Sequence, residues 1–271
     1  MVFDELQRDS LEETESKYTE KAFLFNVEKR RIESATVLKE KLENMGIKSD
    51  EKELEKFHPS FSKILPSHLE GFFESYPESR GFLTSIRAVK LPKGVLAQSG
   101  PYLNEKGEFA GGEVQFNKDF FGKGNYEYKI VDLESDLNWR GERWIAGQGS
   151  KGIVFHEMAH LLALRINAED AGLSIGEDDH WKFDALQKRY AHNSKIITLC
   201  NNALKELEIS PRNIGRELST YASGDFGELF SEAISQYETC KKPGRLSTEI
   251  HKRYMELVEE RIKDSDLKEV I

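Results

Sequence analysis

An α+β fold is predicted for this chain. It consists of a small, twisted, mostly antiparallel sheet followed by a helical half, with a helical segment in front. Three observations predict it. Strand-like alternation of apolar residues is confined to the stretch from about 80 to 135. Helical periodicity dominates from about 150 to 265. The first 57 residues are charged, contain no proline and hold a single glycine, Gly46. Strands that come first and helices that come second belong to a segregated architecture, not to an alternating parallel sheet. Two units follow: a helical segment over 1–57 and a domain over 58–271.

Composition narrows the function classes. The chain of 271 residues carries 39 Lys and Arg against 48 Asp and Glu, a net charge of −9, with no basic stripe. That argues against nucleic-acid binding. No run of about 18 apolar residues is present, so no membrane span is expected. The acidic start Met1-Val2-Phe3-Asp4-Glu5 has no basic or apolar region of a signal peptide. With two cysteines, Cys200 and Cys240, no cysteine-rich metal site or disulfide framework can form. A soluble, acidic protein compatible with a reducing compartment such as the cytoplasm is expected.

In chain order, Tyr18, Ala22, Phe25, Ile32, Ala35, Leu42 and Met45 form an apolar stripe on one helix face. It serves either packing on its own domain or a coiled coil with a partner. The first fifteen or so residues lack the stripe and are expected to fray. The two prolines of 58–66 predict a loop, and Leu69, Phe72 and Phe73 a helix over 67–77. Strands are expected at Gly81–Val89, Val95–Gln98, Glu113–Asn117 and Tyr126–Leu133, with a hairpin turn at Asn104-Glu105-Lys106-Gly107. Ser150 is the expected N-cap of a helix over 151–166, with further helices near 179–191 and 194–208. Ser210-Pro211 reads as another helix start. Asp225 is placed to cap a helix over 226–240 that stops at Lys242-Pro243-Gly244, and Ser247 one over 248–264.

The chemistry sits in His156-Glu157-Met158-Ala159-His160, an HExxH pattern flanked by Ile153, Val154, Phe155, Leu161, Leu162 and Leu164. Residues four apart share a helix face, so both imidazoles reach one Zn²⁺ at roughly 2.0–2.1 Å. Glu157 is rotated about 100° away, suited to act as general base on a water. The flanks are apolar, so two histidines and a carboxylate on this helix need partners or a metal. A hydrolytic site needs a third ligand. The extended form with a third histidine fails, because Ala163 and Ile166 stand where Gly and His are required. His180 and His192 have no spacing argument and read as surface histidines. Glu228 and Glu232 lie one turn apart on an apolar helix with Leu229, Phe230, Ala233 and Ile234, where two carboxylates are costly unless bound. Glu228 can ligate zinc, and Glu232 can accept the free ring N–H of a ligating histidine.

HExxH followed by Ser219-x-Tyr221-Ala222 and then Glu228-x-Phe230-x-Glu232-Ala233 resembles the gluzincin peptidase domain of anthrax lethal factor and its smaller relatives, including the Pro-Pro endopeptidases. It is also similar to the peptidase domains of phage head-morphogenesis or minor capsid proteins. There Gly112–Phe121 resembles the strand before the zinc helix, and Arg245–Ile250 a segment after the glutamate helix. The likeness spans roughly residues 80–255. Ala159 departs from the glycine common before the second histidine, and the gap from His160 to Glu228 is longer than in lethal factor.

The resemblance implies one zinc ion on His156, His160 and Glu228, with Glu157 as base and proton shuttle. It also implies Tyr221 near the metal as an oxyanion donor and Glu232 behind His156. The implied activity is peptide-bond hydrolysis on a protein or peptide substrate. Glu113–Asn117, with Gly112, Val114 and Phe116, is the expected strand edge for an extended substrate. Two alternatives are a phage head protein, partnered by phage structural proteins, with a structural zinc site, and a toxin-like effector protease.

Overall fold

The computed structural model describes residues 26–173, 175–176 and 194–269. Tyr18, Ala22, Phe25, His180, His192 and the helix expected near 179–191 lie outside the described residues. The fold is α+β. Helix α1 (26–44), α2 (Glu51–Leu54) and α3 (Pro59–Ser75) precede strands β1 (Leu83–Val89), β2 (Ala97–Leu103) and β3 (Phe109–Asn117). Then follow α4 (Lys118–Phe121), α5 (Tyr126–Ser135), α6 (Gly149–Asp170), α7 (Ser194–Glu206), α8 (Ile214–Glu217), α9 (Phe226–Thr239) and α10 (Arg245–Glu269). No helix among the described residues is long and apolar enough to cross a membrane.

The described part of the N-terminal segment, residues 26–57, packs against the rest of the chain. Ala35, Leu38 and Leu42 of α1 are buried in the same cluster as Phe57, Phe61, Phe116 and Phe121. Ile32, assigned to the stripe, is exposed. Phe57 stacks edge-on against Phe61 and Phe116, so an aromatic core joins the two sides of residue 57. The Arg87 guanidinium on β1 grips Glu53 with two hydrogen bonds of 3.1 Å.

The loop expected over 58–66 is the first half of α3. Pro59 stands in the first turn, where its missing N–H costs nothing, and the His58 ring caps the helix by accepting from Ser60 N. Pro66 lies inside the helix and is buried. Tyr126–Leu133, expected as a strand, is helical: Tyr126 and Ile130, four apart, are buried while Tyr128 is 76% exposed. The apparent two-residue alternation there was coincidental with a four-residue one.

The sheet is mixed, not mostly antiparallel. Its order is β1-β3-β2, with β1 parallel and β2 antiparallel to β3. The turn at 104–107 forms as expected: Asn104 Oδ1 accepts from Lys106 N and Glu108 N. Because β3 is paired on both sides, Glu113–Asn117 offers no free edge. Val114 and Phe116 are core residues. Gly112 is a packing glycine, since a Cβ there would lie 2.7 Å from Leu161 Cδ2 of α6. The outer edge of β1 is bridged by Lys48, which leaves β2 as the open edge.

A testable consequence attaches to Gly112. Gly112→Ala is expected to destabilise the fold by about 1–3 kcal/mol through overpacking against α6, read by urea denaturation. KM for any peptide substrate is expected to stay unchanged. A changed KM at unchanged stability would restore the substrate role given to Gly112 above.

Helix α6 is the spine. It packs on β2, β3, α3 and α9, and Phe155 meets Phe72 of α3 edge-on at 5.0 Å. It begins at Gly149, not after a Ser150 cap. The Gly149 amide is held by the Glu134 carboxylate of α5, and the Ser150 hydroxyl donates to Glu127. A carboxylate from a neighbouring helix thus serves the positive end of α6. Helices α6 and α9 approach closely where Gly152 of α6, with Gly147 of the turn before it, meets Ser235 of α9. A Cβ on Gly147 would sit 2.9 Å from Gly152 Cα, and Ser235 of α9 donates to the Gly152 carbonyl at 2.7 Å. Ser247, expected to cap α10, lies within it and donates to Gln236 Oε1. Ser210-Pro211 starts a 3-10 turn (Pro211–Asn213) ahead of the short α8, with no side-chain cap.

Candidate metal centre

The close pairing of α6 and α9 brings the HExxH residues and the glutamate helix face to face. Asp225 caps α9 as expected, accepting from Glu228 N at 2.9 Å. That places Glu228 in the first turn, pointing back at α6. His156 Nε2 lies 3.2 Å from Glu228 Oε2, His160 Nε2 lies 3.6 Å from it, and the two imidazole nitrogens are 3.1 Å apart.

Two ring nitrogens and a carboxylate oxygen so close together need a cation or shared protons between them. A tetrahedral ion with bonds of roughly 2.0–2.1 Å separates its ligand atoms by about 3.3 Å, which matches this triangle. The three residues fit a metal ion. Among the described residues they are the one group of three or more His, Cys, Asp or Glu whose ligand atoms converge in this way.

Glu232 stands behind His156. Its Oε1 is 2.9 Å from His156 Nδ1, and its Oε2 accepts from the Ser219 hydroxyl at 2.7 Å and from Ala146 N. A proton on Nδ1, which lies 2.9 Å from Glu232 Oε1, leaves the Nε2 lone pair facing Glu228 and His160. Ser219 also accepts from Ala222 N, so it ties the turn carrying Tyr221 to the same carboxylate. Glu232→Gln keeps the shape and removes the charge. It is expected to weaken metal binding about 10–100-fold, read by competition against a chromophoric chelator, with the circular dichroism spectrum unchanged. Equal affinity would show that Glu232 only packs.

Electrostatics follow from burial and proximity. Burial pushes the Glu228 carboxyl up, but hydrogen bonds and charge from His156 and His160 outweigh it and hold it below the ordinary carboxylate range. Burial disfavours the His156 imidazolium, yet Glu228 and Glu232 together raise its pKa well above the usual histidine value. Glu157 is 6% exposed. Burial raises its carboxyl above the ordinary range against the opposing pull of His156, His160 and the Ser99 hydroxyl of β2.

The centre opens into a cavity of about 670 Å³. The cavity floor is His156, Glu157, His160 and Glu228. The start of β2 with Ser99 and the loop before it also line the cavity, as does the α5 end with Asp132, Leu133 and Asp136. Tyr221 lies on a 3-10 turn (Tyr221–Ser223), is 46% exposed and lines the same cavity. It is not a core aromatic.

His156, Glu157, His160, Tyr221, Glu228 and Glu232 therefore meet around one cavity. Gly112, Val114 and Phe116 do not line it. The sequence reading missed the β2 edge and the α5 wall, and it gave no role to Ser219, which it quoted in the motif. Pro101 within β2 was a usable signal, because proline is confined to sheet edges. Family models, curated proteins and solved structures were all compared with the chain, and none matches it.

Proposed function

We propose that this chain is a zinc-dependent metalloendopeptidase of the gluzincin type. One observation carries the reading. Three metal-ligating atoms converge at the floor of an open cavity, and a buried glutamate that is not one of them, Glu157, faces the same space. A purely structural metal site has no use for such a base. Two nitrogens and one carboxylate oxygen form a donor set of the kind that hydrolytic zinc sites use.

His156, His160 and Glu228 would hold a zinc ion there, which would supply Lewis-acid activation of water and carbonyl. The rest is done by side chains and backbone. Glu157 takes the proton from the attacking water, whose oxygen adds to the scissile carbonyl carbon. The C–N bond then breaks, and Glu157 passes the proton to the departing amine. Ser99 and the two imidazoles favour the carboxylate form that must accept that proton. The Tyr221 phenol donates to the oxyanion. An extended substrate pairs with the open edge of β2, not with Glu113–Asn117.

The test is metal analysis of the purified protein together with cleavage of casein and a random peptide library, with and without chelator. One zinc per chain and chelator-sensitive cleavage are expected. Zinc retained without cleavage of any peptide would overturn the reading in favour of a structural metal site, as in a phage head component.

A further inference from the structure

We propose that the hairpin over 137–143 and the adjoining end of α5 form a docking wall for the substrate. It would seat an apolar side chain of an extended polypeptide against Trp139 and Leu137, with a basic neighbour against Asp132 and Asp136. The inference rests on the peptidase reading above and names the substrate class of that site.

Trp139 is 87% exposed and Leu137 58% exposed. Large apolar side chains on open surface are costly in a cluster and mark interaction sites. Here they are held out by an ordered device. Leu137 and Arg143 form a β-bridge. Asn138 Oδ1 accepts from Arg140 N and Glu142 N, and Asn138 Nδ2 donates to Glu142 Oε2 and Thr220 Oγ1 at 2.9 Å each. Glu142 is 5% exposed and packs on Gly215, where a Cβ would come within 2.6 Å of its Cδ. Among the described residues no cation is paired with it. A buried carboxylate without a counter-ion is expensive, and what it secures is a turn with tryptophan at its tip.

The hairpin is continuous with the cavity. The residues at its two feet, Asp136 and Ile145, line the cavity wall. Its returning strand is pinned to the site: Thr220 N donates to Arg143 O at 2.6 Å, and Tyr221 N to Trp144 O at 3.3 Å. Asp132 and Asp136 also face the cavity, and among the described residues neither is in an ion pair. The tip thus presents Leu137 and the Trp139 ring, one face of which is covered by the Arg140 guanidinium at 4.6 Å from its centroid, and the foot presents Asp132 and Asp136 with Lys129 beside them. A pre-ordered aromatic anchor of this kind binds at low entropic cost and is the residue type that dominates interface energies.

Two arms test this. In the first, the zinc-loaded full chain, Trp139→Ala and Trp139→Phe each cleave a random peptide library. The wild type is expected to select an apolar residue with a basic neighbour. Trp139→Ala is expected to lose that selection, with KM raised about 10–100-fold and the loss falling in KM, not kcat. Trp139→Phe is expected to restore it. Asp132→Asn with Asp136→Asn should lose only the basic preference. The same preference in Trp139→Ala as in wild type would overturn the proposal.

The second arm needs no cleavage. Glu157→Gln is titrated by fluorescence anisotropy with two labelled Gly-Ser peptides, one centred on Lys-Phe-Lys and one with that Phe replaced by Gly. The Phe peptide is expected to bind at least about tenfold tighter, and the difference should vanish when Trp139→Ala is added. Equal binding of both peptides overturns the docking wall even if the protein is a peptidase. A Trp139-dependent difference without cleavage by wild type retains the wall and overturns the hydrolase reading.

Discussion

Glu157→Gln is expected to lower kcat for peptide hydrolysis by about 10³-fold while the protein still binds one metal ion. The change is isosteric and removes only the capacity to accept and return a proton. The ligand triangle of His156, His160 and Glu228 does not include this side chain, so metal content should not move. Stability carries the diagnostic sign. Glu157 is almost wholly buried, and burial already works against its ionised form. A neutral amide relieves that cost, so the variant should melt at the same temperature as wild type or higher. Kinetics, metal analysis and thermal unfolding on one preparation decide it. Activity near wild type would remove Glu157 from the chemistry. Loss of metal would show that it holds the site together instead.

The reason this much was legible is that the candidate metal centre is largely local in sequence. HExxH sits on one helix, and helical periodicity alone places His156 and His160 one turn apart. Glu228 and Glu232 repeat the same logic on α9, with Asp225 as a recognisable cap. Bringing α6 and α9 together is non-local. It depends on Gly147, Gly152 and Ser235, whose roles show only when the two helices touch. The sheet was the harder part for a related reason. An apolar strand such as Glu113–Asn117 attracts attention, but apolarity is the mark of the doubly paired centre, and the open edge is the more polar Ala97–Leu103 with its proline. Helix α5 was misread because Tyr126, Tyr128 and Ile130 mimic alternation. The structure buries the first and third and leaves the second in solvent. The same helix, read correctly, supplies one wall of the cavity.

Metal removal should weaken the fold without abolishing it. Much of the centre is preformed by groups that do not touch a metal. Glu232 is held by Ser219 and Ala146, Ser235 locks α9 to the Gly152 carbonyl, and Glu228 is fixed by the Asp225 cap. A metal that binds only the folded state adds stability as RT ln(1 + [L]/Kd), about 4 kcal/mol at a thousandfold excess over Kd. For a chain of this size that corresponds to roughly 10 °C in Tm. Treatment with a strong chelator is therefore expected to lower Tm by about that amount, with helical circular dichroism retained, and stoichiometric zinc should restore it. In His160→Ala the shift should disappear, because two remaining ligands cannot hold the ion at working concentrations. Complete unfolding on chelation would mean that the ion, not the α6–α9 packing, builds the site. An unchanged Tm at saturating chelator, with wild-type protein shown to have bound zinc beforehand, would mean that the triangle of His156, His160 and Glu228 is not where the metal resides.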